Sequence, residues 1–142
     1  MNRAPILLVE SDSFDEHREV EALTTPDRKH RVLVARTTQN ALTLIKGLAK
    51  GAGIAMVYLD EHVPFLGATE LLRKIRADKD ICDIPVVVMT SRKVDDSEMS
   101  HVARDADSWF RRPKNASDLA AVFEKFTEFF ARRRSSKCST RK

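Results

Sequence analysis

Six apolar residues in succession, Ile54 to Leu59, stop at a single carboxylate, Asp60. An apolar run this short and without alternation reads as a strand buried on both faces, as in the middle of a parallel sheet. Pro64 and then Gly67 follow, and at Gly67 the chain must turn. Asp60 is thereby placed at the carboxyl end of a central strand. In open α/β sheets that edge is where ligands bind.

The same pattern recurs along the chain. Residues 5–10 (PILLVE) are apolar and end at Glu10, followed by the helix-start residues Ser11, Asp12 and Ser13. Residues 14–23 are expected to be helical on a poor stripe, since Arg18 stands one turn beyond Phe14 where an apolar residue belongs. A connection at 24–30, holding Pro26, leads to a short strand at 31–36 (RVLVAR), charged at both ends as suits an edge. Thr37 or Thr38 can cap the next helix, whose stripe is Ala41, Leu44, Ile45 and Leu48, and residues 51–53 (GAG) end it. Ala68, Leu71, Leu72 and Ile75 mark a third helix. Residues 84–90 (IPVVVMT) read as another buried strand, with Pro85 tolerable at its start. A polar loop at 91–96, a short helix through Met99, Val102 and Ala103, and an edge-like strand at 108–111 (SWFR) follow. Asn115 with Asp118 resembles a capping box, and the last helix carries Leu119, Val122, Phe123, Phe126 and Phe130 on one stripe.

Strand and helix alternate five times, which implies a doubly wound α/β fold with right-handed crossovers and helices on both faces of a parallel sheet. The three most apolar strands belong in the middle and the two short polar ones at the edges. The expected order is therefore 2-1-3-4-5, the flavodoxin-like arrangement, with its switch point between strands one and three. Glu10 and Asp60 end those two strands and should face each other across the crevice.

A length of 142 residues suits one domain, expected at residues 1–130. Residues 131–142 hold Arg132, Arg133, Arg134, Lys137, Arg141 and Lys142 and no acid; removing those six from the formal charge of +4 leaves −2 for the rest. The basic stretch is expected to be a flexible tail. No helix-turn-helix or aromatic-interleaved basic patch accompanies it, which argues against nucleic-acid binding. No apolar run approaches the roughly 20 residues of a membrane span, and the start lacks a signal peptide, so a cytoplasmic protein is expected. Cys82 and Cys138 show neither metal-site spacing nor a disulfide framework, and unpaired thiols are expected. His17, His30, His62 and His101 are scattered, and only His62 lies near the strand edge of interest.

The strand ends bring together Glu10, Ser11 and Asp12, then Asp60, then Thr90 and Ser91, then Arg112. Carboxylates converging in one cleft repel each other unless a cation neutralises them, and oxygen ligands select a hard ion such as Mg²⁺. Shielded in that way, Asp60 is a plausible nucleophile toward a phosphoryl group, with Thr90 and Arg112 as donors to its oxygens.

With LLVESD, LDEHVPFLG, VVVMTS and FRRP in register, the chain resembles a response-regulator receiver domain of the single-domain, chemotaxis-type kind over about residues 4–130. The resemblance implies a phosphorelay signalling module, not an enzyme. In it Asp60 is the phosphoacceptor, and Thr90 and Arg112 contact the phosphoryl group. Mg²⁺ is held by Glu10, Asp60 and the backbone carbonyl of His62, with Asp12 as a further candidate. Thr90 and Trp109 are the switch residues, and the bond before Pro113 is cis. It also implies a histidine kinase or phosphotransfer protein as donor and an output partner on the face of helix four, strand five and helix five; a homodimer is compatible with it. Three residues depart from the family pattern: Ser11 replaces an acid of the metal-binding pair, Arg112 replaces a lysine and Ala68 a glycine. Ser11 weakens the expected metal site and keeps a second reading open, a pseudo-receiver that acts by binding alone. A flavin carrier of the same topology would need a phosphate-cradling loop after strand one, and VESDSF has no glycine.

Overall fold

The computed structural model describes residues 4–24, 30–51, 53–63, 67–91 and 95–139. Residues 25–29 of the expected connection at 24–30, residues 1–3, 64–66 and 92–94, Ala52 and the last three residues of the tail lie outside them. The elements are β1 (Ile6–Val9), α1 (Ser13–Leu23), β2 (Val32–Ala35), α2 (Thr38–Leu48), β3 (Met56–Asp60), α3 (Gly67–Ala77), β4 (Val86–Thr90), α4 (Asp96–Val102), β5 (Ser108–Arg111) and α5 (Ala116–Phe130). Every strand pairing is parallel and the order is β2-β1-β3-β4-β5. This is the expected doubly wound sheet.

Side chains alternate across the strands and so build two cores. Leu7, Val9, Val57, Leu59, Val86 and Val88 face the helices that carry Ala41, Ile45, Leu71, Ile75 and Met99. Ile6, Leu8, Met56, Tyr58, Val87, Met89 and Phe110 face Leu23 of α1 and Leu119 and Phe123 of α5. Each such aliphatic or aromatic side chain contributes roughly 1.5–3 kcal/mol on burial. The Tyr58 hydroxyl is satisfied inside the second core, donating to the Phe123 carbonyl or pairing with Thr127 Oγ1 at 2.8 Å. Asp12, Thr37, Asp95 and Asn115 each cap a helix by accepting first-turn N–H groups. The chain turns at Gly67 as expected, with φ +78° in the left-handed region, and α3 starts there.

Two expectations fail at the opposite edge of the sheet from Asp60. Cys82 and Cys138 form a disulfide, with Cα atoms 5.0 Å apart. Nor is the described part of the tail loose: Ser135 is buried and its N–H donates to the Asp83 carbonyl at 2.7 Å. Both the N–H and the hydroxyl of Ser139 donate to the Arg76 carbonyl at 2.9 Å. The reason is that the tail answers backbone carbonyls around the α3–β4 connection, which polar residues do without any apolar pattern. Arg76 itself is buried and ties the same region. It donates to the carbonyls of Cys82, Ile84 and Asp105 and to Asp107 Oδ2, at 2.7 to 2.9 Å.

A third expectation fails at the other edge. No described peptide bond is cis, so Arg112–Pro113 is trans. The carbonyls of Pro113 and Lys114 both accept from Arg18 Nη2 at 3.1 Å, which holds the trans loop against α1.

Candidate functional site

Strand register decides which side chains meet. Val9 pairs with Leu59, Asp60 with Met89 and Thr90 with Arg111. The ladder runs one residue further, as Glu10 N–H donates to Ala35 and Arg112 N–H to Thr90. Glu10, Asp60, Thr90 and Arg112 thus emerge at one edge, as expected.

The Arg112 side chain organises that edge. Nη2 donates to Glu10 Oε1 and, at 2.7 Å, to Asp60 Oδ1. Nη1 donates to Ser91 Oγ at 2.7 Å, and Nε contacts Glu19 Oε2. One planar fork with five N–H donors can reach all four partners; an ammonium cannot. Glu10, Glu19, Asp60 and Arg112 are each less than one tenth exposed. Asp60 Oδ2 accepts no hydrogen bond among the described residues.

Burial lowers the proton affinity of Arg112, and the charges of Glu19, Glu10 and Asp60 more than reverse this, so the guanidinium stays charged. Burial likewise pushes Glu10 above the ordinary carboxylate range, against the hydrogen bond from Glu19 and the charge of Arg112. For Glu19, burial, the hydrogen bond to Glu10 and the Glu10 charge raise the value from 4.5 to about 9. Glu19 Oε1 is buried and meets no hydrogen-bond partner.

Glu19 was not legible as a site residue, although a signal existed. With Ala22 and Leu23 it forms the buried stripe of α1, so a carboxylate stands where an apolar residue belongs. Glu61 was missed as well. Its Oε1 accepts the Thr90 hydroxyl at 2.6 Å and lies 3.5 Å from His62 Nε2. Thr90 therefore points along the edge toward Glu61.

Ser11 and Asp12 are exposed. Asp12 Oδ1 accepts from Asp15 N–H at 2.9 Å as the cap of α1, and its own N–H donates to Glu10 Oε2. No group of three or more His, Cys, Asp or Glu among the described residues could hold a metal ion. Glu10 and Asp60 are instead bridged by one shared guanidinium nitrogen. This donor set does not fit a divalent ion while Arg112 lies between the two carboxylates. Ala68 is buried in the α3 face and Trp109 is half-buried against the core lined by Met99 and Ala103.

No protein-family model matches the chain. It is 27% identical over 117 residues to the two-component response regulator ORR6 of Oryza sativa subsp. japonica, spanning 82% of this chain and 67% of that protein. Among solved structures, the phosphorylated cyanobacterial phytochrome response regulator RcpA is similar with a TM-score of 0.78 and 23% identity, covering 92% of this chain and 95% of that one. The Mn²⁺-bound form of response regulator Rcp1 is similar with a TM-score of 0.73 and 23% identity, covering 91% and 95%. The two structures share the fold, and one of them holds a divalent metal.

Proposed function

We infer that this chain is a response-regulator receiver domain of two-component signalling and propose that Asp60 is its phosphoacceptor. The observation that supports this most is the pairing of Asp60 with Arg112 at the carboxyl end of β3, beside the point where strand order reverses. Asp60 Oδ2 attacks the phosphorus of a phosphohistidine on a histidine kinase or phosphotransfer protein. The O–P bond forms as the P–N bond breaks; the imidazole nitrogen keeps the bonding pair and takes a proton from water. Arg112, already a donor to Oδ1, meets the charge that arrives on the new phosphoryl oxygens.

Thr90 is the group we assign to the switch. Its hydroxyl leaves Glu61 for a phosphoryl oxygen, and the parallel pairing of β4 with β5 at Val88–Trp109 and Thr90–Arg111 carries the change outward. The output surface we infer is the face of α4, β5 and α5 around Trp109. Donors of this class work in the cytoplasm, where we place the chain. No helix among the described residues is long and apolar enough to cross a membrane.

Incubation with acetyl phosphate followed by intact-mass measurement tests the reading. One added phosphoryl group, lost in Asp60→Asn, is the expected result. No added mass on a folded protein favours the pseudo-receiver instead.

A further inference from the structure

Two acids at the end of a sheet need a counter-ion, and this chain supplies one covalently. We propose that Arg112, braced by Glu19, is the resident cation of the site and that a divalent metal and this guanidinium exclude one another there. The inference concerns the edge that carries the proposed phosphoacceptor and rests on that reading only in taking this edge as functional.

Three observations carry it. The guanidinium nitrogen Nη2 bonds both Glu10 and Asp60, so the space between the two carboxylates is filled by a positive group. Ser91 and Glu19 occupy Nη1 and Nε, which fixes the fork in that position. Glu19 is fully buried on a helix stripe beside Ala22 and Leu23. A buried carboxyl in such a place costs stability unless it is paired, and Arg112 is what pairs it.

The neighbouring residues agree. Ser11 brings no charge to the edge, and the Asp12 carboxylate is committed to capping α1. A metal entering between Glu10 and Asp60 would have to find its ligands against a fixed positive charge, with fewer acids than usual. Arg112→Lys changes this sharply. A single ammonium cannot bond Glu10, Glu19, Asp60 and Ser91 together, so the space between the first and third opens.

The experiment is a Mn²⁺ titration of the unphosphorylated full chain, followed by the electron paramagnetic resonance signal of free Mn²⁺, with thermal melts run in parallel. The wild type is expected to bind with a dissociation constant above about 1 mM, and Arg112→Lys at least about tenfold more tightly. Ser11→Asp alone should change little, whereas the same substitution added to Arg112→Lys should tighten binding by more than the two single effects together. A merely structural role for Arg112 predicts the opposite, since a damaged site loses affinity. Equal affinity of the wild type and Arg112→Lys overturns the proposal, as does a full gain from Ser11→Asp alone. If Arg112→Lys shows no cooperative melt, the wild type decides. Selective broadening of the Ser11, Asp12 and Glu61 amide signals by sub-millimolar Mn²⁺ would contradict metal exclusion, and its absence would support it. None of these readouts requires phosphorylation. Metal exclusion with no acetyl phosphate reaction sinks the phosphoacceptor and keeps the resident cation; phosphorylation with tight Mn²⁺ binding does the reverse.

Discussion

Glu19 of α1 and Arg112 beyond β5, separated by 93 positions in the sequence, meet through Oε2 and Nε in a buried contact. That contact joins the site to the helix packed against α5, and Arg18, the preceding residue of α1, adds a second tie by holding the carbonyls of Pro113 and Lys114. The edge that carries Asp60 and the buried face of α1 are therefore joined through Arg112.

Removing that guanidinium should be costly. Arg112→Ala leaves Glu10 and Asp60 crowded without a counter-ion and Glu19 without its partner, and breaking a buried pair of this sort costs about 3–5 kcal/mol. Urea denaturation at neutral pH measures it. Arg112→Lys, which keeps the charge, should lose less. A loss within about 0.5 kcal/mol for the alanine variant, the range of ordinary surface substitutions, would mean that the cluster is not held as described.

A pH dependence follows from Glu19. Its value in the fold, about 9, lies above the ordinary 4.5, so the folded chain keeps a proton that the unfolded chain releases. The stability from this group is fully present below pH 4.5 and is lost as pH rises toward 9. Between about pH 5 and 8 the loss should be on the order of 4 kcal/mol if the full shift is realised. Glu19→Gln, which mimics the protonated acid, should flatten the slope. Parallel slopes for the two proteins would show that Glu19 titrates normally.

The strap at the far edge makes a separate prediction. A disulfide that closes 56 residues is worth about 2–4 kcal/mol through the unfolded chain. Cys138→Ser, or reduction of the wild type, should lower the melting temperature by several degrees, and deletion of residues 132–142 should lower it further. An unchanged melt would restore the reading of a loose tail. Acetyl phosphate reactivity should survive either change, because the strap lies across the sheet from Asp60.

How legible these features were depends on how far apart the partners lie. Strand order could be read because polarity is local: charged ends demote β2 and β5 to edges, and unbroken apolar runs centre β1, β3 and β4. Glu10, Asp60, Thr90 and Arg112 could be gathered because each follows a strand. Glu19 could not be assigned, since a carboxylate on a helix stripe has meaning only beside a partner from the far end of the chain. Its trace was the poor stripe of α1. Arg76 hid in the same way, looking like a last-turn cation when it serves Asp107. The cysteine pair left no trace in spacing, because Ser135 and Ser139 dock the tail through hydrogen bonds that no apolar pattern announces.

The proposed switch makes a prediction about Trp109. Its indole is half-buried against the α4 side of the sheet, two β4–β5 pairings from the Thr90 register. Beryllofluoride, a phosphoryl mimic on Asp60, should change its fluorescence, and Thr90→Ala should abolish most of the change. A spectrum insensitive to saturating mimic would separate phosphorylation from the output face proposed here.

The most direct test of the central claim is chemical mapping of the phosphorylated residue. After acetyl phosphate treatment, borohydride reduces an aspartyl phosphate to homoserine, and peptide sequencing by mass spectrometry locates it. The account predicts homoserine at position 60 alone, and none in Asp60→Asn. Homoserine at another acid of the edge, Asp12 or Glu61 in homologated form included, or none in a protein that has gained phosphoryl mass, would contradict it.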